Sequence, residues 1–461
     1  MRATRSLSNS PRPLRLAAVA AAVMVLVLPG TGRAGTANPD LDPTFGDAGR
    51  ALTGFTHYAG ASDVALVSGG RILAAGTRIF DHFKLALARY RPNGDLDTTF
   101  GDNGRVVVGF PGHDLEAGAL AVLPSGRFVV GGTLDSQRPR QPATFALVGF
   151  LANGDLDAGF GNGGRVAAHL PPGRWNLSSL VRQADGRLLA VGWRQRPVVS
   201  RFAAVRFLPD GSIDRTFGND GHLTTAFPED ADPTKDRSVA NDVALDVHGR
   251  AVVVGWETND GCRFRWAIAR YLPNGDLDRS FGRDGRVTTE FAQNNARASA
   301  VEIGDDDRIT VAGSNDFLSC QSPQVHFGTA AVARYLPGGR LDSSFGGDGK
   351  VSTRFLGSRK TTPVYYDLAL DEGGQIAATG NAVRPAHNDV LVIVGGYLRD
   401  GSLNTAFSDD GRATDEGPRE YALASALFVD PNGRPIVAGT DGGVGNDGRF
   451  MIDGFVAPGA G

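Results

Sequence analysis

The sequence predicts an all-β fold, a seven-bladed β-propeller, because two patterns recur along the chain with one shared period. In the first pattern, a Leu-Asp pair or its near-equivalent is followed by phenylalanine and, in most copies, glycine. The seven phenylalanines are Phe45, Phe100, Phe160, Phe217, Phe281, Phe345 and Phe407. They are separated by 55 to 64 residues. A period of this length is typical of an array of supersecondary units, each too small to bury its own apolar face.

The second pattern is a turn of the Gly-Arg type followed by an apolar run that ends in glycine. It spans Gly70–Gly76, Gly126–Gly131, Gly186–Gly192, Gly249–Gly255, Asp307–Gly313, Gly374–Gly380 and Gly433–Gly439. Each unit contains four strand-like runs, which in the second unit are Ala117–Val122, Phe128–Val130, Phe145–Phe150 and Arg165–Leu170. Four short strands joined by turns rich in Gly, Asp and Asn predict one propeller blade per unit.

The turn between the third and fourth strand-like runs has a chemistry of its own. In the first unit it extends from Pro92 to Gly104. We expect Asp97 to accept backbone hydrogen bonds as an Asx-turn, and Gly101 and Gly104 to supply positive φ angles. We expect Phe100 to lie in the core between two sheets.

The order of the strand-like runs at the two ends of the chain predicts how the propeller closes. The chain opens with a run of the fourth type, Arg50–Phe55, and ends with a run of the third type, Phe450–Val456. We therefore expect the N-terminal strand to pair into the last blade and close the ring, because closure removes exposed sheet edges. The propeller then occupies residues 40–457, and residues 458–461 form a C-terminal tail.

The first 34 residues have the pattern of a secretory signal peptide. Four arginines precede the apolar run Leu16–Leu28, and small residues near Ala34 and Ala37 offer a cleavage site. The apolar run is shorter than the ~20 residues that a membrane-spanning helix needs. We expect a secreted protein, periplasmic or extracellular, without a membrane span in the mature chain. We also expect it to be a monomer.

The net charge limits the kinds of partner that we expect, and the two cysteines suggest a disulfide. Residues 1–34 hold five arginines and no acid, so their removal takes the formal net charge from −3 to −8. An acidic body argues against nucleic-acid binding, which needs a basic surface. Cys262 and Cys320 each lie seven residues after the glycine that ends an apolar run. They occupy matching loops of adjacent units and are candidates for a disulfide, with two partly buried thiols as the alternative.

One repeat family shares these motifs. Residues 271–278 (Tyr-Leu-Pro-Asn-Gly-Asp-Leu-Asp), Phe281 with its glycine, and residues 285–287 (Gly-Arg-Val) resemble the bacterial delta-60 repeat of secreted β-propellers. The resemblance extends over most of residues 40–457. In the last copy Asn404 replaces the aspartate and Ser408 replaces the glycine. The family has no assigned activity, so the resemblance implies architecture and export but no catalytic residue.

Alternation of strand direction predicts that the short turns lie on one face and the long connections on the other, where we expect function. Trp193 and Trp256 directly follow the glycine that ends an apolar run in neighbouring units, and Trp175 lies in a loop nearby. Tryptophan and arginine are enriched in binding hot spots. The candidate ligand-binding residues are Trp175, Trp193, Trp256, Arg174, Arg194 and Arg196. The alternative is that each tryptophan packs on its neighbouring loop.

Two sets of side chains are candidate metal ligands. The repeated aspartates either cap their turns or bind calcium, and we favour capping, with no cofactor. These aspartates are Asp42, Asp97, Asp157, Asp214, Asp278 and Asp342. His57, His113 and His169 occur in three successive units and could hold zinc, although scattered surface histidines are the simpler interpretation.

The sequence leaves three functions open. The first is a secreted scaffold that binds a protein or a glycan through its long connections. The second is a hydrolase or lyase that acts on a glycan or small metabolite at the mouth of the central channel. The third is a purely structural envelope component. No linear catalytic motif favours the enzyme, but a propeller can assemble a catalytic group from several blades.

Overall fold

The computed structural model describes most of the chain after the predicted signal peptide. The described residues are 38, 40–136, 142–197, 199–227, 237–258, 263–291, 295–319, 322–356, 361–384, 389–418, 421–442 and 448–458. Residues 1–34, Cys262 and Cys320 lie outside them, so the signal peptide and the disulfide stay predictions.

The described residues form short strands, with one helical turn. A strand β1 (Arg50–Thr53) precedes the repeating units. The first three units contain β2 (Tyr58–Val67), β3 (Arg71–Ile79), β4 (Phe83–Tyr90), β5 (Arg105–Val108), β6 (His113–Val122), β7 (Phe128–Ser136), β8 (Thr144–Phe150), β9 (Arg165–Ala167), β10 (Arg174–Arg182), β11 (Leu188–Gln195), β12 (Ser200–Phe207) and β13 (His222–Thr225). Units four and five contain β14 (Arg237–Leu245), β15 (Ala251–Thr258), β16 (Arg265–Tyr271), β17 (Arg286–Thr289), β18 (Ala296–Ile303), β19 (Ile309–Ser319), β20 (Ser322–Tyr335) and β21 (Lys350–Thr353). The last two contain β22 (Thr362–Leu370), β23 (Ile376–Arg384), β24 (Asp389–Tyr397), the helical turn α1 (Ser408–Gly411), β25 (Arg412–Asp415), β26 (Ala422–Val429), β27 (Pro435–Asp441) and β28 (Arg449–Gly454).

Consecutive strands of a unit pair antiparallel, as the hairpin turns predict. Among the described residues the strands form five four-stranded sheets and one eight-stranded sheet. The eight-stranded sheet contains the strands of units three and four, which one parallel pairing between Ser200 and Arg237 joins. The chain is therefore an all-β protein of repeated four-stranded sheets.

The core lies between neighbouring sheets rather than within one of them. Leu85 and Leu87 of the first unit pack with Phe128 and Phe150 of the second in one buried cluster. The third strands are buried on both faces, and all nine residues of β24 are buried. Such strands read as continuous apolar runs, since neither face meets water.

In six units the glycine that ends the apolar run is required by a bulge in the strand beside it, and in the second unit this glycine is Gly132 rather than the predicted Gly131. Every first strand shifts register once, and in β10 the shift falls between Leu177 and Ser179. At the bulge the two backbones approach so closely that a Cβ on Gly192 would lie 1.9 Å from the carbonyl oxygen of Asn176. Only glycine fits, which explains why the second sequence pattern ends in this residue.

The repeated phenylalanine joins each unit to the next. Phe100 is fully buried, and a Cβ on Gly154 in the next unit's turn would lie 2.9 Å from its ring. The guanidinium of Arg89 lies 4.6 Å from the Phe100 ring centroid. Arg89 also pairs with Asp97 at 2.8 Å and donates to the carbonyl of Ala152 in the next unit at 2.6 Å. The same arrangement recurs with Arg206, Asp214 and Phe217, with Arg270, Asp278 and Phe281, and with Arg334, Asp342 and Phe345.

The turn chemistry expected from the sequence is confirmed. The amide of Thr99 donates to Oδ1 of Asp97 at 3.2 Å, which is the expected Asx-turn. Gly101 and Gly104 have φ angles of 50° and 88°.

In three units glycine replaces the arginine of the third strand. These glycines are Gly149, Gly396 and Gly454. The phenylalanine ring then lies directly on the strand backbone, since a Cβ on Gly149 would be 2.6 Å from Cγ of Phe160. The phenylalanine is thus covered by the third-strand guanidinium or by bare backbone, and Phe45 also has the guanidinium of Arg434 over its ring at 4.9 Å.

We predict that Gly149→Ala destabilises the protein by about 1–3 kcal/mol through overpacking against Phe160. Gly338→Ala is the matched control, because a Cβ at Gly338 meets nothing within 4 Å. Urea unfolding measures both variants. Equal stability of the two would show that the Phe160 contact does not require a glycine.

The N-terminal segment is held by the last two units. Strand β1 pairs antiparallel with β28, and Arg50 lies opposite Asp453. Nε of Arg50 pairs with the fully buried Asp453 at 2.7 Å, while its Nη2 pairs with Asp415 of the sixth unit. Asn38 also donates to Asp415, at 3.0 Å. One cation from the start of the chain therefore neutralises carboxylates from two units at its end.

We predict that Arg50→Met lowers the free energy of unfolding by about 3–5 kcal/mol, because it leaves a buried carboxylate without its cation. Arg215→Met, which removes an exposed arginine paired only with Asp220, is the control and should change it by less than ~1 kcal/mol. Denaturant titration gives both values. A small loss for Arg50→Met would mean that β1 contributes little to the folded body.

Candidate functional site

Five of the six candidate residues lie at the long-connection end of the third unit, on or beside the β10–β11 hairpin. The register pairs Trp175 with Arg194 and places Trp193 opposite Asn176. Arg196 follows the end of β11. Trp256 lies in the fourth unit, on β15. The hairpin therefore brings together most of the set that the sequence analysis selected.

Trp175 belongs to the interior between units two and three. It is 1% exposed, and its Nε1 donates to the carbonyl of Pro171 at 2.9 Å. Its ring meets Phe145 of the second unit edge-on at 6.0 Å. The third unit has Phe227 at the position that Leu170 occupies in the second unit. The large indole fills the space that this smaller side chain leaves, so Trp175 is not part of a surface patch.

Trp193 and Trp256 stand where other units have an acceptor that braces the next unit. Oγ1 of Thr77 accepts from the amide of Ala117 in the next unit at 3.0 Å. Oγ1 of Thr133 does the same for Leu177, also at 3.0 Å. An indole accepts no such bond. The two half-buried tryptophans therefore replace a bond that stabilises the array. The structure also aligns Thr133, not its neighbour Gly132, with this position.

Trp256 contacts a set of residues distinct from the hairpin. Its ring meets Phe264 edge-on at 5.2 Å. The guanidinium of Arg297, from the fifth unit, lies over both rings, at 5.6 Å and 4.4 Å. Trp256 therefore takes part in an aromatic contact between units four and five.

An open groove of about 430 Å³ lies at the end of the β10–β11 hairpin. It is lined by Pro142, Pro172, Gly173, Arg174, Gln195, Arg196 and Pro197. Its walls are proline rings and arginine stems, and its guanidinium groups supply the charge. A volume of this size is within the range of ligand sites, about 300–1,000 Å³. Two of the candidate arginines, Arg174 and Arg196, thus line a site of ligand size.

The arginines of the groove differ in how they are neutralised. Arg174 pairs with Asp135 of the second unit at 2.6 Å. Arg194 donates to the carbonyl of Pro172, a neutral acceptor. Partial burial, together with the positive charges of Arg196 and Arg201, lowers the pKa of Arg194. The guanidinium of Arg194 is therefore repelled by those of Arg196 and Arg201.

Sequence reasoning missed three carboxyl groups on the first strands of units one, four and six. Oδ2 of Asp63 accepts from the amide of Leu120 in the next unit at 2.6 Å. Asp242 and Asp367 accept in the same way from the next unit's first strand, at 2.9 Å and 2.6 Å. The signal was present, because each begins an Asp-(Val or Leu)-Ala-Leu motif in the sequence.

These three carboxyls interact with one another through their charge. Burial, and to a smaller extent repulsion from Asp242, raise the pKa of Asp63 to about 7. Burial first, and then Asp242 and Asp63, raise the pKa of Asp367. Each carboxyl keeps a small accessible area, yet protein atoms surround all three. Their hydrogen bonds between units indicate a bracing role.

We predict that stability falls as pH rises from about 4 to about 7, because the raised pKa of Asp63 means that its folded-state proton is lost over this interval. Asp63→Asn cannot titrate. The free energy of unfolding of Asp63→Asn minus that of wild type should therefore increase from pH 4 to pH 7 and stay constant above pH 7. Asp305→Asn, at an exposed turn, is the control. A constant difference between Asp63→Asn and wild type from pH 4 to 8 would contradict the shift.

The candidate aspartates have protein partners. Oδ1 of Asp97 accepts from Thr99 and its Oδ2 from Arg89, and the same pairings recur in other units. His57 stacks on Phe80 at 3.7 Å. Within the ranges that the structure describes, no group of three or more His, Cys, Asp or Glu side chains could hold a metal ion. None of the helices there is long and apolar enough to cross a membrane.

Comparison with known proteins supports the repeat architecture. Three segments, residues 70–100, 183–217 and 249–281, match a family model described as a domain of unknown function (DUF5122) beta-propeller. Each segment ends on a phenylalanine of the first sequence pattern, Phe100, Phe217 or Phe281. The chain carries β-propeller repeats. No curated protein matches its sequence.

Solved β-propellers resemble the chain at low identity. A streptogramin B lyase is 10% identical with a TM-score of 0.44, covering 88% of this chain and 98% of its own. The polysaccharide lyase Uly1 is 9% identical with a TM-score of 0.45, and the match covers 86% of this chain and 90% of the lyase. The β-propeller domain of the Trilobed protease from Pyrococcus furiosus is 10% identical with a TM-score of 0.42, over 88% and 100%. None of these similarities transfers an activity to this chain.

Proposed function

We propose that the protein is a ligand-binding or protein-interaction scaffold that acts through the long-connection end of its third unit. The observation that carries the proposal is the groove at the β10–β11 hairpin, where Arg174 and Arg196 line a ligand-sized space between prolines. Trp193 supports it, because it lies on the same hairpin, outside the groove lining, at a position where other units have a side chain that braces the next unit.

We further propose that the scaffold is a closed seven-bladed propeller of the delta-60 type. Two observations support closure: β1 pairs with β28, and β2 packs against both β6 and β26. The eight-stranded sheet then counts as two blades that share one bridging pair. We propose secretion on the basis of residues 1–34, and a monomer without a resident metal. We also propose a disulfide between Cys262 and Cys320.

The second candidate function is a hydrolase or lyase on a glycan or small metabolite. One observation favours it: Asp63 and Asp367 have a raised pKa, as catalytic acids do. Their oxygens, however, accept backbone amides of the neighbouring unit. We therefore rank the enzyme second, and turnover of a bound glycan that Asp63→Asn abolishes would reverse the ranking.

We predict that Trp193→Thr preserves folding but abolishes the rise in melting temperature that a ligand produces. Threonine restores the acceptor that the other units have, so stability should not fall. A ligand that binds only the native state must raise the melting temperature by mass action. The measurement is thermal unfolding across arrays of peptides, glycans and metabolites.

Trp256→Thr is the matched control, since it makes the same change in the next unit and should leave the ligand shift intact. Two outcomes would contradict the proposed function. In one, no ligand raises the melting temperature of the wild-type protein. In the other, both threonine variants retain the full shift.

A further inference from the structure

We propose that the groove at the β10–β11 hairpin binds a segment of a partner polypeptide that presents acidic side chains next to apolar ones. This inference rests on the proposed function, because it assigns a ligand class to the same site. It follows from the walls of the groove, from its unbalanced charge and from its size.

The walls of the groove call for an apolar ligand body. Pro142, Pro172 and Pro197 come from three separate connections and converge on one space. Proline rings offer neither hydrogen-bond donors nor an aromatic face. A sugar packed against these rings would lose water from its hydroxyl groups, and among the lining side chains only Gln195, Arg174 and Arg196 offer hydrogen bonds in return. Aliphatic side chains bury against such walls without that cost.

The charge at the rim calls for an anion. Arg196 is exposed, and within the described residues its side chain makes no hydrogen bond or ion pair. Arg194 beside it donates only to a carbonyl, and partial burial, followed by repulsion from Arg196 and Arg201, lowers its pKa. A carboxylate at the rim relieves that repulsion. The rest of an acidic chain repels acidic partners, so attraction is confined to this site.

The charge is also uneven across the groove, which gives the ligand a direction. Arg174 on one side is already paired with Asp135, whereas Arg196 on the other side is not. The acidic side chain of the partner should therefore meet Arg196, with its apolar neighbour against Pro172 and Pro197. A small inorganic anion would pair with Arg196 and leave the proline walls unused.

The size of the groove suits a short segment rather than a folded domain. Its volume of about 430 Å³ holds a few side chains. Contacts this few give modest affinity, and one exposed ion pair contributes up to ~1 kcal/mol, or about fivefold in Kd.

The test uses three amidated hexapeptides with the purified protein. The first alternates leucine and glutamate, the second leucine and glutamine, and the third serine and glutamate. Fluorescence anisotropy should show the first binding tightest, with the second and third each weaker by about fivefold or more. Hexagalacturonate serves as the acidic glycan probe, and sulfate as the small anion.

A double-mutant cycle assigns the charge contact. Arg196→Gln should weaken binding of the leucine–glutamate peptide about fivefold and leave binding of the leucine–glutamine peptide unchanged. Arg215→Gln, which removes an exposed arginine elsewhere in the third unit, should change neither. Increasing salt should remove the advantage of glutamate over glutamine in wild type, whereas Arg196→Gln should bind the two peptides equally at every salt concentration.

Three results would overturn the inference. Equal binding of the glutamate and glutamine peptides would remove the anionic requirement. Tighter, Arg196-dependent binding of hexagalacturonate than of any peptide would assign the site to acidic glycans and leave the scaffold function standing. Failure of every probe, together with no ligand shift that Trp193→Thr abolishes, would remove both the inference and the proposed function.

Discussion

The buried phenylalanine that links each unit to the next is the contact on which the rest of the structure depends. Burying a phenylalanine stabilises a fold by about 1.5–3 kcal/mol, but here the ring also sets the spacing between sheets. Phe100 is enclosed by the glycine turn of the second unit and by Arg89. Arg89 cannot cover the ring without also reaching Asp97 and a carbonyl of that turn. One side chain thus fixes packing, charge and connection together.

Where this contact is built differently, the surrounding sequence changes with it. In the sixth unit Gly396 replaces the arginine, and Asn404 replaces the aspartate that would otherwise lie buried without a cation. Asn404 instead donates to Gln375 at 2.8 Å. In the second and seventh units, where Gly149 and Gly454 replace the arginine, the aspartate stays and pairs with Arg127 or Arg434 instead. The sixth unit has Gln375 at that arginine position, which a neutral amide fits. The departure of the last copies from the motif therefore preserves hydrogen bonding rather than eroding it.

The repetition of this contact explains how much of the fold could be predicted from the sequence. Phe100, the Asx-turn at Asp97 and the positive φ of Gly101 are local consequences of a motif, so the pattern alone gave them. Asp63 was missed because its role depends on a bulge that brings the next unit's amide to it. Trp175 was assigned to a surface because its burial depends on a smaller residue, Leu170, in another unit.

The function that we propose lies where the repeat is least regular. The short-turn face is nearly the same from unit to unit, and its arginines are paired with aspartates. The third unit differs at its long-connection end, where Trp193 replaces a bracing acceptor and Arg196 has an exposed charge. A rigid array can carry such a local departure, because the contacts on the other side of the sheet are unaffected.

We expect the linked units to unfold as one cooperative body, which native-state hydrogen exchange at increasing denaturant can measure. We predict that amides of the third strands in all units exchange through one shared opening with the full free energy of unfolding. Slow amides in β28 should belong to that same opening, since Arg50 joins the two ends of the chain. Exchange of units six and seven through a separate opening of lower free energy would contradict the account.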